Sequence, residues 1–191
     1  MTAQELFDFA ETRYRHAVDL VTEMIQFVQN ERQSFDTTYS YFQFDVIMQF
    51  ILLKVALADG KFLEIEGAFI DQITDNYDIL QLFDKHDDRY NWSFAGANLT
   101  FEQVENIVNK VEKRATEHIY AFSDLFAEID LLDSSKNYVK ELFECIRDVA
   151  TAFIKADGNA TKKEIETTVN VVRECLTEPW LAKQRKLKNL K

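Results

Sequence analysis

The sequence predicts an all-α protein, a helical bundle of two similar helix, Asp-Gly turn, helix halves, on three observations. Chain breakers are scarce: the 191 residues include four Gly and one Pro. Sandwiches and barrels need many turn residues, and no Asn-Gly or paired-Gly hairpin signal occurs here. Apolar residues recur at spacings of three and four over long stretches, the period of a helix with one buried face. Finally, one Asp-Gly turn occurs twice with similar flanks. A hydrophobic content of 47% and a charged content of 29% are ordinary for a globular chain. The length suffices to bury a core as a single domain over residues 1–191.

The first helix carries Phe7, Ala10, Tyr14, Ala17, Val21, Met24 and Val28 in one stripe. Gln33 to Ser40, rich in Ser, Thr and Asp, forms a connection. A second helix over about Tyr41 to Ala58 is apolar on most sides and belongs in the middle of the bundle. It stops at Asp59-Gly60, and a third helix starts near Glu64. Between Asp75 and Asn98 the period is lost, with one short helix expected at Ile79 to Phe83. From Phe101 the stripe returns through Val104, Val108, Val111, Ala115, His118, Phe122, Leu125, Ile129 and Leu132. This is one very long helix or two with a break near Ala115. Asp133-Ser134-Ser135 supplies a cap, and the next helix runs to Ala156 and stops at Asp157-Gly158. A last helix from about Thr161 to Leu176 is expected to end before Pro179.

Charge narrows the partners. A net charge of −11 repels nucleic-acid phosphates and anionic membranes and attracts cations and basic surfaces. The basic tail, 177–191, is the exception, with Lys183, Arg185, Lys186, Lys188 and Lys191. A solvated end is expected there, with peripheral contact to an anionic surface as the alternative. The most apolar run, Val46 to Ala58, has 13 residues and contains Gln49 and Lys54, against the roughly 20 apolar residues of a membrane span. Met1 to Glu5 carries no secretory signal, and a cytoplasmic protein is expected. Cys145 and Cys175 lack metal or redox spacing and are read as buried free thiols.

No catalytic constellation emerges, and the chain is not expected to be an enzyme. There is no nucleophile elbow, phosphate-binding glycine loop, His-Glu-x-x-His helix or Glu-x-x-His pair. His118, on the apolar stripe, reads as a core or edge histidine. Asp84, His86, Asp87 and Asp88 read as a solvated loop before a metal site.

The repeat carries the functional signal. Leu57-Ala58-Asp59-Gly60 and Lys155-Ala156-Asp157-Gly158 stand 157 − 59 = 98 residues apart, as do Glu66 and Glu164. The same offset sets Phe44, Ile47, Ile51 and Val55 on Leu142, Cys145, Val149 and Phe153, so 44–73 and 142–172 form an internal repeat. Gly60 and Gly158 suit the left-handed close of a helix, and Thr161 with Glu164 matches a capping box. With Leu63 in the Thr position, only the Glu66 half of that box can form in the first copy. The turns therefore read as caps, or as a cation site. Asp-Gly with Glu seven after the Asp is the second half of an EF-hand loop, but the first half lacks acids. Only if the two turns meet would Asp59, Glu66, Asp157 and Glu164 make one shared carboxylate cluster.

On these residues the chain resembles the TerB-like family, named for a bacterial tellurite-resistance protein. That family also forms the N-terminal part of a membrane-anchored J-domain co-chaperone. The resemblance implies a helical fold of two similar halves, acidic residues at both turns that bind a divalent metal, and a non-enzymatic role in bacterial stress responses. The alternative expectation is a structural or interaction protein that forms a homodimer or docks a protein partner through its heptad helices, with the turns only as caps.

Overall fold

The computed structural model describes residues 1–31, 37–58, 60–74, 79, 82, 93–132, 138–156, 158 and 160–189. Among them every regular element is helical. In chain order they are α1 (Ala3–Asn30), α2 (Ser40–Ala56), α3 (Glu64–Ile73), α4 (Phe101–Leu132), α5 (Tyr138–Phe153), α6 (Lys162–Val172), a π-helical turn (Arg173–Thr177) and α7 (Glu178–Lys188). No helix among the described residues is long and apolar enough to cross a membrane.

α2 is the axis of the bundle. From Phe44 to Leu53 every residue is buried, including the polar Asp45 and Gln49. A helix apolar all round must be covered all round, and α1, α3, α4, α5 and α6 all pack against it. α1 lies along α5 as well, and Arg13 pairs with Asp148 at 2.9 Å. Aromatic rings join the layers: Phe69 of α3 meets Phe7 of α1 at 4.9 Å and Phe153 of α5 at 5.3 Å, ring centre to ring centre. Phe44 of α2 meets Tyr14 of α1 and Phe122 of α4 in the same way.

α2's buried polar groups are satisfied, as burial demands. Tyr14 donates its phenol hydrogen to Asp45. Gln49 donates to the Thr74 hydroxyl at 3.0 Å and accepts from the Ile79 amide at 3.0 Å. Asp71 of α3 ties down the stretch before α4, accepting from the Ser93 hydroxyl and the Phe94 and Ala95 amides at 2.7–2.9 Å. One turn earlier on the same face, Gly67 lets that backbone approach; a Cβ there would sit 2.9 Å from Ala95 N.

α4 is one unbroken helix, the first of the two expected forms. Its buried stripe passes through Ala115, Ile119 and Phe122. His118 is half-buried beside it, edge-on to Phe42 with ring centres 5.2 Å apart. Burial holds its pKa below the ordinary histidine range, against the nearby Glu117 carboxylate.

The C-terminus departs from expectation. Pro179 does not end the last helix: the chain passes from α6 through a π-turn directly into α7, where proline sits in the first turn. Proline there costs one amide hydrogen bond, and the chain is widened just before it, the Glu178 amide reaching back to Arg173 O. The tail is therefore not merely a solvated end. α7 packs on α4, with Lys183 bonded to Glu128 at 2.9 Å and Asp124 at 3.3 Å. Trp180 stands edge-on to Phe143 with ring centres 6.3 Å apart. Both cysteines are buried free thiols whose pKa burial raises, that of Cys175 to about 12.

The expected helix at Ile79 to Phe83 has only Ile79 and Leu82 among the described residues. The 84–88 cluster and the 133–135 cap lie outside them.

Candidate functional site

The two turns close alike. α3 and α6 start at Glu64 and Lys162, 98 residues apart. Both preceding helices tighten before they stop, the Ala58 amide bonding Val55 O at 3.0 Å and the Ala156 amide bonding Phe153 O at 3.1 Å. Gly60 and Gly158 then take φ of 85° and 81°. A side chain at such φ strains the backbone, so glycine is the residue that reverses the chain here without strain.

Each second helix opens on a glutamate cap. Glu164 accepts the Thr161 amide at 2.5 Å, while the Thr161 hydroxyl accepts the Glu164 amide at 3.1 Å. Glu66 accepts the Leu63 amide at 2.7 Å, and Leu63, with no side-chain oxygen, leaves the return bond unmade. Glu164 is buried and Glu66 half-buried. A carboxylate at a helix N-terminus also meets the positive end of the helix dipole.

Of the four acids singled out in the sequence, Glu66 and Glu164 are thus placed at equivalent helix starts, each bonded to its own turn. Asp59 and Asp157 lie outside the described residues. Among the described residues no group of three or more His, Cys, Asp or Glu side chains is gathered to hold a metal ion. Carboxylate oxygens are the donors that suit a hard divalent cation.

Two features went unread in the sequence. Asp130 of α4 is half-buried, and its carboxyl pKa is raised to about 6; burial is the main cause, opposed by the Trp180 indole and the Val139 amide. Among the described residues, neither Asp130 Oδ1 nor Trp180 Nε1 has a partner in well-aligned hydrogen-bond geometry. The second is a groove between α5, α6 and α7, lined by Val139, Phe143, Val169, Val172 and Trp180 and by as many charged or polar residues. Both depend on where α7 docks, which local periodicity does not encode.

No family model, curated protein or solved structure matches the chain.

Proposed function

We propose that the chain is a non-enzymatic, TerB-like helical binding module whose two Asp-Gly turns share one divalent cation. The observation that carries this reading is the pair of left-handed glycines, 98 residues apart, each preceded by an Asp and followed by a capping Glu at the same spacing. Capping accounts for Glu66 and Glu164 but needs no aspartate before the glycine. Asp59, Glu66, Asp157 and Glu164 would supply oxygen ligands to calcium, magnesium or manganese. Bound cation would tie the two halves together and make the module's stability, and its affinity for a partner, responsive to cation level.

Thermal unfolding tests it. A cation that binds only the folded chain raises the melting temperature by mass action, so chelator should lower it and calcium, magnesium or manganese should restore it. No shift at millimolar cation would retire the reading.

The cap bonds favour a second reading, in which the turns are structural and the chain is a protein-interaction module. Its partner would dock elsewhere than on the long stripe of α4, whose apolar residues from Val104 to Ile129 are buried inside the molecule.

A further inference from the structure

α7 is fastened to the molecule mainly by polar contacts. Of its 11 residues, Pro179 alone is buried. Lys183 bonds Glu128 at 2.9 Å and Asp124 at 3.3 Å, and the Gln184 side chain donates to Ala127 O at 3.3 Å. The ion pairs are partly exposed, and such pairs add little stability and weaken with salt. The largest apolar side chain of α7, half-buried Trp180, forms one wall of a small cavity whose others include Phe122, Phe126, Leu142, Phe143 and Leu176.

The joint that carries α7 is short of a backbone bond. The chain enters through the π-turn Arg173–Thr177, in which Cys175 and Leu176 are buried and anchor the turn to the bundle. Pro179 follows and has no amide to donate back into that turn. π-turns are rare and frequently sit at functional sites. Lifting α7 about this joint would therefore break few bonds and leave α6 in place.

Beneath α7 lies a group that lifting would relieve. Asp124, Ala127 and Asp130 follow one another at a spacing of three on the face of α4 that meets α7. Asp130 is half-buried, with the Trp180 indole and the Val139 amide beside it, and its Oδ1 has no well-aligned partner among the described residues. No ion pair joins it to them. Lys183 of α7 is bonded to Asp124 and Glu128, and Tyr138 and Lys140, the titratable groups either side of Val139 on α5, do not act on its carboxyl. Burial without a cation favours the neutral acid, and the Asp130 pKa is raised from 3.8 to about 6.

We propose that α7 is a pH-governed strap, which closes over α4 and α5 while Asp130 is protonated and is released as Asp130 ionises. The closed form binds the proton more tightly than the open form, in which water reaches the carboxyl. Acid therefore favours closure, and closure weakens as pH rises through about 6. The raised pKa corresponds to as much as about 100-fold in the closing equilibrium. Asp124 and Glu128 act in the opposite sense, because protonating either frees Lys183, so the direction of the response identifies the group. Release uncovers the apolar wall formed by Phe126, Leu142 and Phe143. The strap does not use the Asp-Gly turns, so it stands or falls apart from cation binding.

Amide hydrogen exchange of the full chain at about pH 4.5 and 7.5, corrected for the intrinsic rate, reads the strap directly. At the higher pH the α7 amides should be at least about tenfold less protected than those of α2, which is the mark of local opening. Their protection should rise at least about tenfold at the lower pH. Asp130→Asn, with its fold checked by circular dichroism, should hold α7 at the higher pH as tightly as the wild type does at the lower, and show no rise of its own. Lys183→Gln should lower α7 protection at both pH values and keep the rise. Protection of α7 equal to that of α2, protection that falls in acid, or an unaltered rise in Asp130→Asn would each overturn the proposal. Should Asp130→Asn fail to fold, the direction of the wild-type response still decides.

Discussion

Individual side chains separate the two roles of the turn acids. Glutamine keeps an oxygen for the cap bond and loses the charge, whereas alanine loses both. Glu164→Ala should cost about 1 kcal/mol of stability, the usual worth of a cap, and Glu164→Gln should retain most of it in denaturant unfolding. Glu66→Ala should cost less, because Leu63 completes only half of the box. Asp130 gives a separate signature. Its folded pKa of about 6 lies above the ordinary carboxylate value, so the folded chain binds the extra proton between roughly pH 4 and 6. Stability from this group is fully present below that window and is lost as pH rises through about 6. Asp130→Asn should stabilise the chain at pH 7.5 and leave it nearly unchanged at pH 4, read as the difference in urea midpoint between variant and wild type. A variant no more stable than wild type at pH 7.5 would count against a buried, poorly partnered carboxylate.

Among the elements, the turns and α7 are the informative ones. A Cβ at Gly60 or Gly158 meets nothing within 4 Å, so Gly→Ala at either position isolates backbone strain and should cost about 1–2 kcal/mol. Gly67→Ala should cost more, since its methyl would strike the Phe94–Ala95 backbone; equal losses at positions 60 and 67 would contradict that packing. Trp180→Ala should cost about 3 kcal/mol by opening the seam between α4, α5 and α7. The helices with one clean stripe were readable from periodicity: the stripe residues Phe7 to Val28 of α1 are all buried. So were the starts of α3 and α6, where a cap or its remnant marks the boundary. His118 and Ile119 were harder to separate, because over thirty residues a seven-residue repeat drifts against 3.6 residues per turn. α7 was hidden behind Pro179, which costs a helix one amide bond without having to end it; here the chain widens into a π-turn just before it. The tie between Asp71 and 93–95 was unreadable too, since it joins segments more than twenty residues apart through a glycine that looks like any mid-helix glycine.

At the scale of the whole molecule, the helices pack around α2, which is buried on all sides from Phe44 to Leu53. The stretch before α4 is tied to α3 through Asp71, and a groove lies open between α5, α6 and α7. The 98-residue offset in the sequence pointed to the matching turns. It could not disclose the groove, because exposure belongs to the packed bundle and not to any one segment. Nor did spacing alone bring the turn acids together. Calorimetric titration of calcium, magnesium and manganese into the chelator-treated chain measures that directly. It is best run in parallel with a Glu66→Gln, Glu164→Gln double variant, which keeps both caps. A shared site predicts saturable binding of one cation per wild-type chain, weakened at least about tenfold in the double variant. No saturable heat from the wild-type chain, or the same isotherm from both proteins, would contradict it.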